Sequence, residues 1–516
     1  MKKIFSVIFA GLMMSAQTFA VTPSDICGRF DGMLNIGGSL YPNKSVYLIP
    51  GAVENTVTFV LPDFMYNAGK LGNIVLPNIP MDADGKLTLE NATLYLDSIS
   101  ERATITVING LEDGGVTYNS IITPAEAQVI LSIAAPSLPQ AIFVLFQGQA
   151  AAAQNYEMPN GGFEGAWTNY EPEGWHSFNT ATGLMVDFIR GTDQFVQSSE
   201  VRPGSKGQHS VLLSSKFALS AKANGNCTNG QINAGSSTAD DPSNNYNFSD
   251  PTNTGFNTPF NGRPDSLVFW AKYLPADRNA ANEVNKARVN AVVTTAARYQ
   301  DPEVEDYSAI KIGAAERNYT ATASMGWQRL AVPFVYAEAN NDKQPAYILT
   351  TFSTNMTPGG GSSYSTGQIN KVNVLDTLYL DDVMMVYNRE LSTFTIDQDA
   401  VSFDGRIATV SDNYCDDCAK FAAKGNGITA EPFIAFDAAH KCIFVYVVAD
   451  DYAQSHRYNL YRIDFADSQT SDLAPIEDGV QQIVAGTMQV EKMMINGRLI
   501  IRRGNEYFTA DGVRVQ

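Results

Sequence analysis

The chain has 516 residues, 17% charged and 44% hydrophobic, with 23 tyrosines and 27 phenylalanines. Its formal net charge is −19, and a surface of that sign repels nucleic acid and anionic lipid. No run beyond the amino terminus can span a membrane, because the longest, 129–146, is broken by Pro136 and Pro139.

Met1-Lys2-Lys3 supplies positive charge, Ile4 to Met14 is apolar, and Thr18-Phe19-Ala20 puts small residues where signal peptidase reads. Residues 1–20 are expected to be a Sec signal peptide cut after Ala20. Asp25 stands where a lipoprotein signal wants a small or apolar residue, so no lipid is expected on Cys27. Export would place the mature chain in the periplasm, at the cell surface or outside the cell.

From 21 to 153 the chain reads as strands. Thr56 to Leu61, Lys86 to Glu90, Ala103 to Ile108, Ala127 to Ile133 and Ile142 to Phe146 are β-branched and apolar, and several alternate with period two. Asp82-Ala83-Asp84-Gly85 lacks the rest of a calcium loop and reads as a hairpin turn. Phe64, Gly72 to Ile79 and Ile142 to Gly148 resemble a calycin-like β-barrel family. The alternating apolar set is expected to fill such a barrel as core. A Gln-Ala tract at 149–154 then reads as a joint.

The segment 154–389 holds all four tryptophans. Asn160-Gly161-Gly162-Phe163-Glu164 opens it and Tyr379-Leu380-Asp381-Asp382-Val383 closes it. Between them stand Pro264 to Tyr273, a strand pattern around Trp270, and Gly326-Trp327-Gln328-Arg329. In this order the four motifs resemble the "putative carbohydrate metabolism domain", a β-jelly-roll family of Bacteroidota surface proteins. The resemblance implies a jelly-roll sandwich and a role in carbohydrate recognition or metabolism. In jelly-roll modules with similar motifs the opening glutamate and a closing aspartate share a structural calcium, which carries that role to Glu164 and Asp382. The alternative is that these acids bond to nearby backbone amides. Asn224 to Pro264, rich in Asn, Gly, Ser and Thr, reads as a long loop.

From 390 to 485 further alternating strands suggest a small β-sandwich. Cys415, Cys418 and Cys442 leave three readings open: a disulfide, free thiols, or a zinc site with His440. Residues 486–516 resemble the carboxy-terminal sorting tails of type IX secretion, and a plain pair of hairpins explains them equally well.

Among motifs of chemistry, G-x-S-x-G, H-E-x-x-H, the P-loop and G-x-G-x-x-G are absent. The four histidines are scattered, and no carboxylate pair stands out for glycoside hydrolysis. Sugars are held by aromatic faces and polar hydrogen-bonding groups, a mixture that Trp167, Tyr170, Glu171, Trp175 and His176 supply. For Trp167 and Trp175 core packing is the competing reading, and Trp270 and Trp327 are assigned to the core. The chain thus reads as all-β: a calycin-like barrel, a central jelly roll and a small carboxy-terminal β-domain. The leading function is a secreted or surface glycan-binding protein with no membrane span. A carbohydrate-active enzyme such as a glycoside hydrolase, and a structural or adhesion protein of the envelope, are the alternatives.

Overall fold

The structure is a computed structural model. It describes residues 20–66, 69–96, 102–113, 115–136, 138–191, 193–218, 221–238, 240–275, 286–356, 375–411 and 420–476, with short strands between 482 and 515. The signal-peptide reading falls on residues 1–19, outside the described residues, as do Cys415 and Cys418. The chain is all-β apart from single turns of helix among the described residues. None of these helices is long and apolar enough to cross a membrane. Two compact units form: Met1–Ala153 with Arg389–Asn426 and Ala430–Gln516, and Gln154–Asn388 with Gly427–Thr429.

The first unit is built on a nine-stranded antiparallel sheet. Its order is Gly69–Pro80, Thr56–Tyr66, Ser39–Pro50, Gly28–Ile36, Ile142–Ala150, Glu126–Ala134, Ala103–Val107 and Ala92–Leu94, with Ile121–Ile122 beside Glu126–Ala134. Residues 86–89 bring the ends together into a nearly closed barrel. There Thr88 N donates to Pro80 O at 3.0 Å, Leu87 N to Ser120 O at 2.9 Å, and Val107 N to Leu89 O at 2.8 Å. Alternation sends Phe30, Leu34, Val57, Phe59, Leu61, Val129, Leu131 and Ile133 into one buried cluster. The barrel is filled by its own side chains.

Arg389–Asn426 and Ala430–Gln516 belong to the same unit. The strand Cys442–Val448 is buried along its whole length. Cys442, Phe444, Tyr446 and Val448 pack with Ile49, Val60 and Val75 of the barrel strands. Ile443, Val445 and Val447 pack the other way, with Phe394, Phe421 and Phe436. A strand covered on both faces reads as a continuous apolar run. The expected small sandwich therefore shares its core with the barrel. Cys27, Cys227 and Cys442 are free and buried. His440 turns its ring nitrogens to Asp437 (2.7 Å) and Asp472 (3.3 Å).

The second unit is a sandwich of two antiparallel sheets in the jelly-roll manner. One runs Phe195–Ser198, Ser210–Ser214, Thr377–Val386, Ser266–Leu274 and Gln328–Pro333. The other runs Asn226–Thr228, Tyr347–Ser353, Ala287–Thr294, Lys311–Tyr319 and Val335–Tyr336, with Thr258–Pro259 also on Tyr347–Ser353. Leu267, Phe269, Ala271 and Tyr273 of the first sheet are fully buried, as are Val289, Val293 and Phe352 of the second. Phe269 meets Phe352 with ring centroids 5.0 Å apart.

Two expectations for this unit are corrected. Trp270 lies between inward-facing Phe269 and Ala271, so alternation sends it outward, where the Arg202 guanidinium stands 5.2 Å from its ring. Trp327 is half-buried against Tyr379, 6.1 Å away, and not in the sandwich core. Asn224 to Pro264 is not one long loop. It forms the edge strand Asn226–Thr228 and two strands of a small sheet, Gln231–Ala234 and Asn245–Phe248, joined by Gln300–Asp301. Asparagine side chains supply the hydrogen bonds that aliphatic packing would not, as where Asn229 Nδ2 donates to Ile348 O and Asn229 Oδ1 accepts from Thr350 N.

Candidate functional site

The opening and closing motifs of the second unit meet in space. Asn160–Glu164 folds as a tight turn, with Phe163 N donating to Asn160 O at 3.0 Å and Gly165 N to Asn160 Oδ1 at 2.8 Å. Gly161 passes directly against the last strand. Val383 N donates to Gly161 O at 2.8 Å, and a Cβ on Gly161 would lie 1.9 Å from Val383 O. Only glycine fits there. The last strand bulges at this point: Val268 pairs with Met384 but Trp270 with Asp381, and Asp382 adopts φ +47°.

The bulge gives the two aspartates different surroundings. Asp381 is fully buried, its Oδ2 accepts from Arg202 N at 3.0 Å, and its Oδ1 has no hydrogen-bond partner. Burial pushes its carboxyl up to about 6, with Asp382 adding to the rise. Asp382 Oδ2 accepts from Arg202 Nε at 2.5 Å. Glu164 Oε1 accepts from Gln208 N at 2.8 Å and His209 N at 2.7 Å. Both acids border Gly162, where a Cβ would stand 3.5 Å from Asp382 Oδ1 and 3.8 Å from Glu164 Cγ. No group of three His, Cys, Asp or Glu side chains converges on a metal position among the described residues.

The five residues expected to bind a ligand separate into three environments. Trp175 is wholly buried against Phe163 (5.4 Å) and Phe352 (6.0 Å), and its Nε1 lies 3.2 Å from both Pro159 O and Asn160 O. A ring with no exposed face cannot stack on a sugar, so Trp175 is core. Glu171 is buried too. Its carboxylate accepts from Ser177 N and Oγ, each at 2.6 Å, and from Thr180 Oγ1 at 2.9 Å. His176 Nδ1 is 3.2 Å from Glu171 Oε2, its Nε2 is 2.7 Å from Gly255 O, and its ring packs, tilted, against Phe256 with centroids 4.6 Å apart. Glu171 and His176 are already committed to neighbours and tie the first hairpin to the turn at 253–257.

Trp167 and Tyr170 remain. The short strands Trp167–Thr168 and Glu171–Pro172 pair across a two-residue turn, with Asn169 at φ +52° and Tyr170 at φ +65°. Positive φ at both positions is the hairpin turn that matches strand twist. It carries the Tyr170 ring into solvent, 61% exposed. A groove of about 560 Å³ lies beside it, lined by Trp167, Asn169, Tyr170, Phe195, Val196 and Gln197. The sequence reading missed Asn169, Phe195 and Gln197. An asparagine two residues after a tryptophan was the available signal for the turn; nothing local pointed to the strand Phe195–Ser198.

No family model and no curated protein match the sequence. Among solved structures, a "putative glycoside hydrolase" from Bacteroides thetaiotaomicron aligns over 68% of this chain and 99% of its own, at 15% identity and a TM-score of 0.33. A "putative outer membrane protein" from Bacteroides fragilis aligns over 64% of this chain and 99% of its own, at 10% identity and a TM-score of 0.15.

Proposed function

We propose that this is an exported protein that binds glycan, with the Trp167–Tyr170 groove as its platform. The observation that carries the reading is Tyr170, a large exposed ring held at positive φ beside a half-buried tryptophan. A non-glycine residue in that backbone region costs about 1–2 kcal/mol, and such outliers point toward function. The apolar C–H face of a sugar stacks on aromatic rings, and the Asn169 and Gln197 amides suit its hydroxyls. Among the described residues no carboxylate lines the groove, which favours binding over hydrolysis. An open groove suits a polysaccharide more than a free monosaccharide.

Titration of the full chain with plant, host and microbial polysaccharides, followed by tryptophan fluorescence, tests this. Trp167→Ala and Tyr170→Ala should each weaken binding at least tenfold with the melting temperature retained. No response to any of these glycans at millimolar sugar would remove the proposal. A structural calcium at Glu164 and Asp382 belongs to the same proposal. Its support is that both acids border Gly162 and offer hard oxygen ligands, beside a buried Asp381 oxygen lacking a partner. The ion would have to share Asp382 with Arg202, and backbone carbonyls and water would complete its shell.

A further inference from the structure

We infer that the second unit carries a separate pocket for a small neutral ligand with neighbouring hydroxyl groups. The pocket lies where the edge strand Asn226–Thr228 meets the small sheet of Gln231–Ala234 and Asn245–Phe248. None of its lining residues belongs to the Trp167–Tyr170 groove.

Its floor is made of amides. Asn224 and Asn226, two apart in an extended segment, are 2% and 6% exposed. Each uses its NH2 on a neighbour: Asn224 Nδ2 donates to Ser353 Oγ at 2.6 Å, and Asn226 Nδ2 to Asn247 Oδ1 at 3.0 Å. The carbonyl oxygen of each is buried with no donor. Buried polar atoms in folded proteins almost always have a partner. Two acceptors side by side call for a molecule that brings two donors, as neighbouring hydroxyls do.

The remaining walls restrict the ligand further. Phe178, Met185 and Ile232 belong to one apolar cluster and also line the cavity, so part of the ligand must be apolar. Among the described residues no charged side chain lines the space. Arg288 and Asp301 are already committed, with Arg288 bidentate on Asp301 at 2.8 Å, its Nε on Glu316 Oε1 at 2.9 Å, and Asn290 Nδ2 on the Asp301 carboxylate at 2.9 Å. An ionised ligand would enter without a counter-charge. The cavity is about 50 Å³, where one water needs about 10–15 Å³. It admits the hydroxylated edge of a ligand such as a single sugar unit, with the rest toward solvent.

Saturation-transfer NMR on the full chain tests the assignment, with glucose, galactose, mannose and N-acetylglucosamine as neutral probes and glucuronate and glucosamine as charged ones. At least one neutral sugar should receive saturation and the charged ones should not. Asn226→Leu, which removes the orphan oxygen at similar volume, should reduce the signal at least tenfold. Ala223→Leu, which fills the cavity from its wall, should do the same, and Tyr170→Ala should leave it unchanged. The inference is overturned if no neutral sugar is saturated or the charged sugars bind equally well, as for a cavity that holds only water. It is also overturned if the signal survives both pocket substitutions in folded protein, or if it disappears with Tyr170→Ala. Should the pocket variants fail to fold, the neutral-against-charged comparison on the unaltered protein decides.

Discussion

Asp381 offers a test of the bulge at which the second unit closes. Burial raises its carboxyl to about 6 from the ordinary aspartate value of 3.8. Between those values the folded chain holds a proton that the unfolded chain has released, so stability falls as pH rises through this window. That rise corresponds to about 3 kcal/mol. Screening around the partly exposed Asp382 and Arg202 reduces this to about 1–2 kcal/mol. For a unit of this size the melting temperature should respond by about 2–8 °C. Asp381→Asn keeps the acceptor for Arg202 N and is neutral at every pH. All four tryptophans lie in this unit, so fluorescence melting of the full chain reports on it directly. The melting temperature of Asp381→Asn minus that of the unaltered protein should rise between pH 3.5 and pH 7. A difference that stays constant with pH would refute the claim that Asp381 is desolvated by the bulge.

Other outcomes follow from the same geometry. Trp175→Ala should cost about 3–5 kcal/mol, as for a large aromatic removed from a core, while Trp270→Ala should cost far less; equal losses would contradict the inward and outward assignment. If calcium binds at Glu164 and Asp382, excess calcium at a hundredfold over its Kd adds about 2.7 kcal/mol. Chelator should then lower the tryptophan-reported melt, calcium should restore it, and Glu164→Gln or Asp382→Asn should abolish the response; melts indifferent to chelator would leave both acids with Arg202 and the backbone amides. His440 of the first unit is partly desolvated, which lowers its pKa, yet Asp437 and Asp472 outweigh this and raise it. The stability it contributes is present below the unfolded value and is lost as pH rises through the raised folded one. Asp437→Asn should flatten that dependence in circular-dichroism melts above pH 6, and an unchanged profile would rule out the pairing as its source.

Much of the strand content was legible because strand periodicity is local. Thr56 to Leu61, Pro264 to Tyr273 and Ile443 to Val448 announce themselves by β-branched and aromatic residues between turn formers, and an all-β chain follows. The junction of the second unit was legible in part, since Asn160–Glu164 and Tyr379–Val383 were singled out and do meet. Their detailed roles were not. Which acid is buried depends on a bulge defined by pairing with Ser266–Leu274, more than a hundred positions away in sequence.

The binding residues show the same limit. Trp167 and Trp175 look alike in sequence, eight positions apart, but one lines a groove while the other is sealed under Phe163 and Phe352. Glu171 looks available until Ser177 and Thr180 close around it. The asparagine-rich run from 224 lacks aliphatics and reads as loop, yet hydrogen bonds to Ile348, Thr350 and Ser353 draw it into a sheet. Composition and alternation by themselves determined the fold class and many of its strands. Which side chains face the core, which stay in solvent and which amides are left without a donor was decided only by tertiary pairing, because each depends on partners that come near only once the sheets have formed.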